Sequence, residues 1–157
     1  MEAVETRTKI MKTELIYLAC PYSHADRYVR RARHMLVNKV AAKLMSEGLF
    51  IFSPISHTPP IEEVSNGKLP IGWDFWEKFD RQYLGVVKKI IVLRLPGWET
   101  STGVQAEIKI GAELGIPVEY MDYDLEPSVE ETVELMKNTE ELCHSLEEIR
   151  QDTLKRT

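Results

Sequence analysis

The sequence predicts an α/β fold, a three-layer sandwich in which a mainly parallel sheet of four to five strands lies between helices. Short apolar runs of strand length alternate with longer amphipathic segments four times along the chain. Such alternation is typical of parallel sheets with right-handed crossovers and helices on both faces. The length of 157 residues, with 43% hydrophobic and 29% charged residues, indicates one globular domain.

The first strand is predicted in "ELIYLACPY", an apolar run that Pro21 ends. One long amphipathic helix follows, because apolar residues recur every three or four positions until Gly48. The residues of its apolar face are Val29, Ala32, Leu36, Val40 and Leu44. "LFIFSP" predicts the second strand.

The segment "ISHTPPIEEVSNGKLPIGW" combines Pro, Gly, Ser and Asn without a period and predicts a long loop over residues 55–72. Loops of this length in small domains are usually functional. A helix is predicted from Asp74 to about Val87, and "KKIIVLRLP" is the third strand. The apolar face of this helix consists of Phe75, Phe79, Tyr83 and Val86 or Val87.

After the loop "PGWETSTG", a further helix ends at Gly115 and leads into "IPVEYM", the fourth strand. The predicted apolar face of that helix is Val104, Ile108, Ala112 and Leu114. A charged C-terminal helix is predicted at about residues 128–152, and its apolar stripe has to pack on the sheet or on a second subunit. That stripe contains Val129, Val133, Met136, Leu142, Leu146 and Ile149. We expect a single domain over residues 13–157 after a flexible tail at residues 1–12.

The formal net charge of −5 gives no overall field that would attract a nucleic acid polymer or an acidic membrane surface. No apolar stretch approaches the roughly 20 residues of a membrane helix, and the N-terminus lacks the apolar core of a signal peptide. Cys20 and Cys143 lie far apart, as in a reduced intracellular protein, so we expect a cytoplasmic location. We expect no metal and no cofactor, because His24 and His57 lack a third ligand and no nucleotide-binding glycine motif is present.

Ligands of parallel sheets bind beyond the carboxyl ends of the strands, where the loops "CPYSHADR", "SPISHTPP" and "PGWETSTG" follow their strands. The Ser, Thr and Gly of the third loop precede a helix, which favours an anion there. The alternative is that Ser101 or Thr102 only caps the helix and that Gly103 only permits the turn. Glu107, one helical turn further, leans back towards the strand ends or is a solvated surface residue.

Asp80 lies in the aromatic-rich stretch "WDFWEKFDRQYL", where it is partly covered or forms an exposed ion pair with Arg81 or Lys78. Two carboxylates brought together above the sheet edge would suit substitution at the anomeric carbon of a sugar. Aromatic side chains that could stack on a base are Trp73, Trp76 and Tyr22, although aromatic residues at such spacing are more often part of a core.

Together, "IYLACPYSH", "SPISH", "WDFWEKFD", "VLRLPGWETSTGVQAEI" and "GIPVEY" resemble the nucleoside 2-deoxyribosyltransferase-like superfamily, most closely its DUF1937 branch. The resemblance covers roughly residues 14–121. It implies a flavodoxin/Rossmann-like fold and an enzyme that cleaves or exchanges the N-glycosidic bond of nucleosides or nucleotides. It also implies a homodimer or a higher homo-oligomer.

The resemblance implies that Glu107 is the nucleophile, that Asp80 assists proton transfer, and that Tyr17 lies beside the nucleophile. The implied or predicted substrate contacts are Pro21, Tyr22, Ser23, His24, Arg27, His57, Trp98, Ser101 and Gly103. The chain departs from the family pattern in Cys20, where many members have glycine, and in Lys89, where many have aspartate nearby. The loop over residues 55–72 does not align with that of the family's enzymes, and we expect it to set base specificity.

Ser101 separates two branches of the superfamily. Deoxyribosyltransferases of free nucleosides tend to carry aspartate at this place, whereas nucleotide N-glycosidases carry serine. A carboxylate there would repel a phosphate that a hydroxyl at a helix N-terminus binds. We therefore expect a nucleoside 5′-monophosphate N-glycosidase with a covalent glycosyl-glutamate intermediate. The alternatives are a deoxyribosyltransferase, a non-catalytic nucleotide sensor, and an interaction protein working through its C-terminal helix.

Overall fold

The computed structural model describes residues 14–70 and 72–155. It confirms an α/β fold with a parallel sheet of four strands in the order β2-β1-β3-β4. The strands are β1 (Leu15–Ala19), β2 (Phe50–Phe52), β3 (Lys89–Arg94) and β4 (Val118–Asp122). The helices are α1 (Arg27–Ser46), α2 (Pro54–Val64), α3 (Trp73–Leu84), α4 (Thr102–Glu113) and α5 (Val129–Lys155), with a 3-10 turn at Trp98–Thr100. The tail predicted at residues 1–12 lies outside the described residues.

The central strands β1 and β3 are buried on both faces, which explains why each is a continuous apolar run. Successive side chains of a strand point to opposite faces of the sheet. Ile16 and Leu18 therefore pack with α1 and with the start of α5, whereas Tyr17 and Ala19 pack with α3 and α4. This alternation decides which helices meet the tyrosine hydroxyl.

The helix α1 has the predicted apolar face, since Ala32, Leu36, Val40 and Leu44 are buried. It begins after Asp26, whose side chain accepts a hydrogen bond from the Tyr28 amide at 2.8 Å. It ends before Gly48, which has the positive φ of 90° that a helix stop favours.

The long loop predicted over residues 55–72 is wrong in its first half, because Pro54–Val64 form the helix α2. Pro54 stands in the first turn, where a helix tolerates proline. Pro59 and Pro60 lie inside the helix and lack amide donors, which is the reason that the sequence reads as a breaker. The helix is stabilised instead by burial, since Pro54 and Pro59 are its buried residues.

The helix α4 has a different buried face from the predicted one. Val104, Glu107, Ile110 and Gly111 are buried, whereas two residues of the predicted face, Ala112 and Leu114, are exposed. Gly111 explains the rotation, because a Cβ at this position would lie 2.5 Å from Ile90 Cδ1. A larger residue would have to displace the terminal methyl of the buried Ile90, so the small Gly111 favours the close approach of α4 to β3.

The helix α5 follows the predicted C-terminal helix closely, but only its first half packs on the domain. Val129 and Thr132 are buried, and Val133 packs against the core on the α1 side. Leu142, Leu146 and Ile149 are each more than half exposed. In the described part of the chain, no helix has the length and apolar character needed to cross a membrane.

Candidate active site

One strand and two helices bring Tyr17, Asp80 and Glu107 together. Tyr17 lies in β1 and points to the face of the sheet that α3 and α4 cover. Asp80 comes from the inner side of α3, and Glu107 comes from the buried face of α4. These side chains have relative exposures of 0% (Tyr17), 8% (Asp80) and 5% (Glu107), which rules out the solvated-surface alternatives for both carboxyls.

The Tyr17 hydroxyl donates a hydrogen bond of 2.7 Å to Glu107 Oε1. A buried hydroxyl that donates to a carboxyl stabilises its ionised form. The same hydroxyl lowers the pKa of Asp80, so it lies close to both carboxyls. Tyr17 is thus the central side chain of the group.

Burial dominates the electrostatics of the two carboxyls. Burial, together with the neighbouring Asp80, raises the pKa of Glu107 to about 8, against the hydrogen bond from Tyr17. Burial raises the pKa of Asp80 to about 6. The pKa of Tyr17 also lies well above its ordinary value of 10.0, because of burial and of the two carboxyls. Such strongly perturbed groups in one cleft are typical of catalytic sites.

A cavity of about 840 Å³ opens at the carboxyl ends of the strands, and both carboxyls line it. It lies within the size range of small-molecule sites. The cavity brings together most of the side chains that the sequence predicted for substrate binding. Those that line it are Tyr22, Ser23, His24, Arg27, Ser101 and Gly103.

Ser101 caps α4 and also lies at the cavity, and its contact with an anion stays a prediction. Its Oγ accepts from the Val104 amide at 3.4 Å as the N-cap of α4, and the residue also lines the cavity. Gly103 is not required by a turn, because its φ is not positive and it lies in the first turn of α4. A Cβ there would meet no atom within 4 Å, so the glycine leaves space for a ligand at the helix N-terminus.

The loop after β1 forms one wall of the cavity. Pro21 is fully buried beneath this wall, and His24 Nδ1 accepts from the Asp26 amide at 3.0 Å. Arg27 donates to the Glu140 carboxylate at 2.7 and 2.9 Å, which joins the start of α1 to α5. Cys20 is buried and also lines the cavity.

Two predicted substrate contacts lie elsewhere. The His57 ring stands 6.0 Å from Phe52 and 6.2 Å from Phe79, and it does not line the cavity. The Trp98 ring packs at 5.4 Å from Tyr120 and does not line it either. Both side chains belong to aromatic contacts beside the site, and their contact with a substrate stays a prediction.

The sequence did not predict several other residues of the cavity wall. Arg30, Arg31 and His34 line it from the first turns of α1, and Pro59 lines it from α2. A sequence pattern could have indicated the residues from α1, because positions 27, 30, 31 and 34 share one face of a helix that starts at the ligand end of the sheet. Trp76 and Tyr22, considered for stacking on a base, also line the cavity, while the side chain of Trp73 lies outside what the structure describes.

Among residues 14–70 and 72–155, no three His, Cys, Asp or Glu side chains are grouped so as to hold a metal ion. What the site offers is a pair of buried carboxyls, one tyrosine hydroxyl, and a helix N-terminus with a serine hydroxyl. These groups can supply a nucleophile, an acid or base, and an anion contact.

Residues 14–123 match the family model of DUF1937, described as a domain of unknown function. No curated protein matches the chain. The matched segment contains the whole sheet together with Tyr17, Asp80 and Glu107, whereas α5 lies beyond it.

Proposed function

The chain belongs to the DUF1937 family, and we propose that it hydrolyses the bond between base and sugar in (deoxy)nucleoside 5′-monophosphates. The observation that carries this proposal is the pair of buried carboxyls, Asp80 and Glu107, beside the Tyr17 hydroxyl in an open cavity. Two carboxyls are the usual machinery for substitution at an anomeric carbon. The N-terminus of α4 lines the same cavity and suits a phosphate.

In the first step, a Glu107 carboxylate oxygen attacks C1′ of the sugar and forms a glycosyl ester. The bond from C1′ to the base nitrogen breaks through an oxocarbenium-like transition state, and the base leaves with the electron pair. Asp80 gives its proton to the departing base.

In the second step, water attacks C1′ and breaks the ester to Glu107. Asp80, now ionised, accepts a proton from that water, which releases the sugar phosphate and restores both side chains. If a second base takes the place of water, the same intermediate gives base exchange, the reaction of a deoxyribosyltransferase.

The division of roles depends on which carboxyl of the pair holds the shared proton. Between the pKa values of about 6 and about 8, Asp80 and Glu107 together hold one proton. With these values the shared proton lies mostly on Glu107, and the Tyr17 hydroxyl, which donates to Glu107, stabilises the minor form in which Glu107 is ionised and Asp80 is protonated. That form has both a nucleophile and an acid, so we expect a bell-shaped pH profile of kcat/KM with limbs near these values.

The phosphate is assigned to the N-terminus of α4. Ser101 offers its hydroxyl there, and Gly103 leaves room for close approach of the ligand. Ser23, His24 and Arg27 line the same cavity from the loop after β1 and the start of α1. A dianionic phosphate gains from the helix dipole and from these donors together.

The test is base release from a panel of ribonucleoside and deoxyribonucleoside 5′-monophosphates, followed by chromatography. Glu107→Gln should abolish release, and Glu113→Gln is the matched control because Glu113 is exposed on the same helix. Equal release by the wild type and Glu107→Gln would overturn the catalytic assignment. Binding of a nucleotide with no release in the wild type would support a sensor instead.

The preference for nucleotides over nucleosides is tested at Ser101. Ser101→Asp keeps a good N-cap for α4 but places a carboxylate beside the phosphate. We expect it to lower turnover of 5′-monophosphates by about tenfold or more, while free nucleosides are not disfavoured. Ser101→Thr, which keeps the hydroxyl, is the control. An unchanged ratio between the two substrate classes would contradict the phosphate assignment.

We also propose that the chain forms a homodimer or a larger homo-oligomer through α5. Leu142, Leu146 and Ile149 lie on one stripe of this helix and are more than half exposed. Light scattering should report a mass above that of one chain, which Leu142→Lys with Leu146→Lys lowers and Glu141→Lys does not. A wild-type mass of one chain would overturn this proposal.

A further inference from the structure

Arg33 is a buried cation on the core side of α1. Its relative exposure is 7%, and its neighbours in the chain on the buried face include Ala32, Leu36 and Val37. Arginine is almost never this buried unless its charge and its donors are satisfied, because removing a guanidinium from water is costly. A reason for its position is therefore needed.

The guanidinium of Arg33 bonds to backbone carbonyls of two separate loops. Its Nη1 donates to the carbonyls of Tyr22 at 3.2 Å and Ser23 at 2.9 Å, in the loop after β1. Its Nη2 donates to the carbonyl of Pro96 at 2.8 Å, in the loop after β3. One side chain thus joins the loop with Ser23 to the loop that leads into Ser101.

The loop after β3 is shaped around this guanidinium. Gly97 has a φ of 89°, which favours glycine, and a Cβ at this position would lie 3.1 Å from Arg33 Nη2. The planar fork of arginine reaches both loops at once, whereas the single ammonium of lysine cannot reproduce that geometry. Glycine at 97 and arginine at 33 therefore fit one another.

Within the part of the chain that the structure describes, no carboxylate forms an ion pair with the Arg33 guanidinium. Among the described residues, the only ionisable group that acts on its pKa is the Cys20 thiol, and Arg33 Nε has no hydrogen-bond partner. Cys20 lines the cavity, and the charge of Arg33 lowers the pKa of its thiol against the effect of burial, so the guanidinium lies near this part of the cavity wall. A surface or core ion pair does not explain this residue, but its bonds to the two loops do.

We propose that Arg33 is a positioning residue that holds the loops after β1 and β3 at a fixed separation, so that the nucleotide site is formed before the substrate arrives. This inference rests on the proposed function for its role in turnover. The joining of the two loops rests only on the contacts of the guanidinium.

The test compares three variants of the full chain by hydrogen–deuterium exchange mass spectrometry. Arg33→Met removes the donors and keeps an apolar stem, and Arg33→Lys keeps the charge without the fork. Gly97→Ala perturbs the same contact from the other loop and keeps the proposal testable if Arg33→Met does not fold. Arg150→Met, on the exposed half of α5, is the matched control.

Arg33→Met should raise amide exchange by about tenfold or more in both loops, residues 22–26 and 95–101, because hydrogen bonds from a charged group are lost. Gly97→Ala should act on the same two segments, Arg33→Lys should restore at most one of them, and Arg150→Met should change neither. Faster exchange in one loop alone, in neither, or evenly along the chain would overturn the proposal.

Turnover gives a second readout. In Arg33→Met, KM for the nucleotide should rise more than kcat falls, and the limbs of the pH profile should stay in place, because Asp80 and Glu107 are not altered. A shifted pH profile would mean that Arg33 acts on the carboxyls and would overturn the positioning role. If the wild type releases no base, the proposed glycosidase fails, and the exchange data still decide whether Arg33 joins the loops.

Discussion

Replacing Tyr17 by phenylalanine removes one hydroxyl from the site and leaves the packing of the ring unchanged. Tyr17 is fully buried, and its hydroxyl donates at 2.7 Å to Glu107. A hydrogen bond to a charged group contributes about 1.5–3 kcal/mol. Since each pKa unit corresponds to about 1.36 kcal/mol, its loss should raise the pKa of Glu107 by about one to two units above the present value of about 8.

The same free energy sets the loss of activity. In the singly protonated pair, the form with an ionised Glu107 becomes about 10- to 100-fold rarer relative to the form with an ionised Asp80. The kcat/KM for a nucleoside 5′-monophosphate should therefore fall about 10- to 100-fold at pH 7. The alkaline limb of the profile should move to higher pH in parallel.

The assay is base release measured from pH 5 to pH 10 for the wild type, Tyr17→Phe and Tyr83→Phe. Tyr83 is the control, because its ring stacks on Phe52 at 3.9 Å and does not line the cavity. A fall of less than about threefold in Tyr17→Phe, or an alkaline limb that stays in place, would refute the reasoning.

Three further predictions concern stability and binding. Burial raises the pKa of Glu107 from 4.5 to about 8, so the folded state keeps a proton that the unfolded chain loses, and stability falls as pH rises through this window. Glu107→Gln should therefore raise Tm relative to the wild type more at pH 8 than at pH 4.5. An equal difference in Tm at the two pH values would contradict this prediction. Gly111→Ala should lower the free energy of unfolding by about 1–3 kcal/mol in urea denaturation, because its Cβ would crowd Ile90 Cδ1 of β3. A urea midpoint equal to that of the wild type would contradict the close approach of α4 to β3. Gly103→Ala on the same helix should leave stability unchanged or slightly higher but lower the affinity for a nucleotide, as measured by calorimetry. An unaltered affinity would contradict the proposal that the ligand binds at the N-terminus of this helix.

The sheet could be predicted from the sequence because its strands are short apolar runs separated by clear helical periods. The first three predicted strands contain β1, β2 and β3, and the fourth contains β4 except for its last residue, Asp122. The helix α2 could not be predicted, because Pro59 and Pro60 contradict local helix propensity and only packing against the rest of the domain compensates for them. That packing depends on residues that are distant in sequence, so the local sequence pattern does not indicate it.

The candidate site was predicted only in part for similar reasons. Glu107 shares a helix face with Val104 and Ile110, which indicates burial, but a charged residue on an apolar face is normally read as solvated. Its hydrogen bond to Tyr17 reverses that reading, and the partner lies 90 residues away. Arg33 is a stronger example, since its partners are backbone carbonyls that no side-chain pattern reveals.

The separation of 90 residues between Tyr17 and Glu107 also has a consequence for how the protein folds. Their contact requires that β3 has already paired with β1 and that α4 has docked behind it, and such long-range closures are slow relative to helix formation. After dilution from denaturant, circular dichroism of the helices should therefore recover first. Recovery of base release would mark the moment at which β1, β3 and α4 have come together.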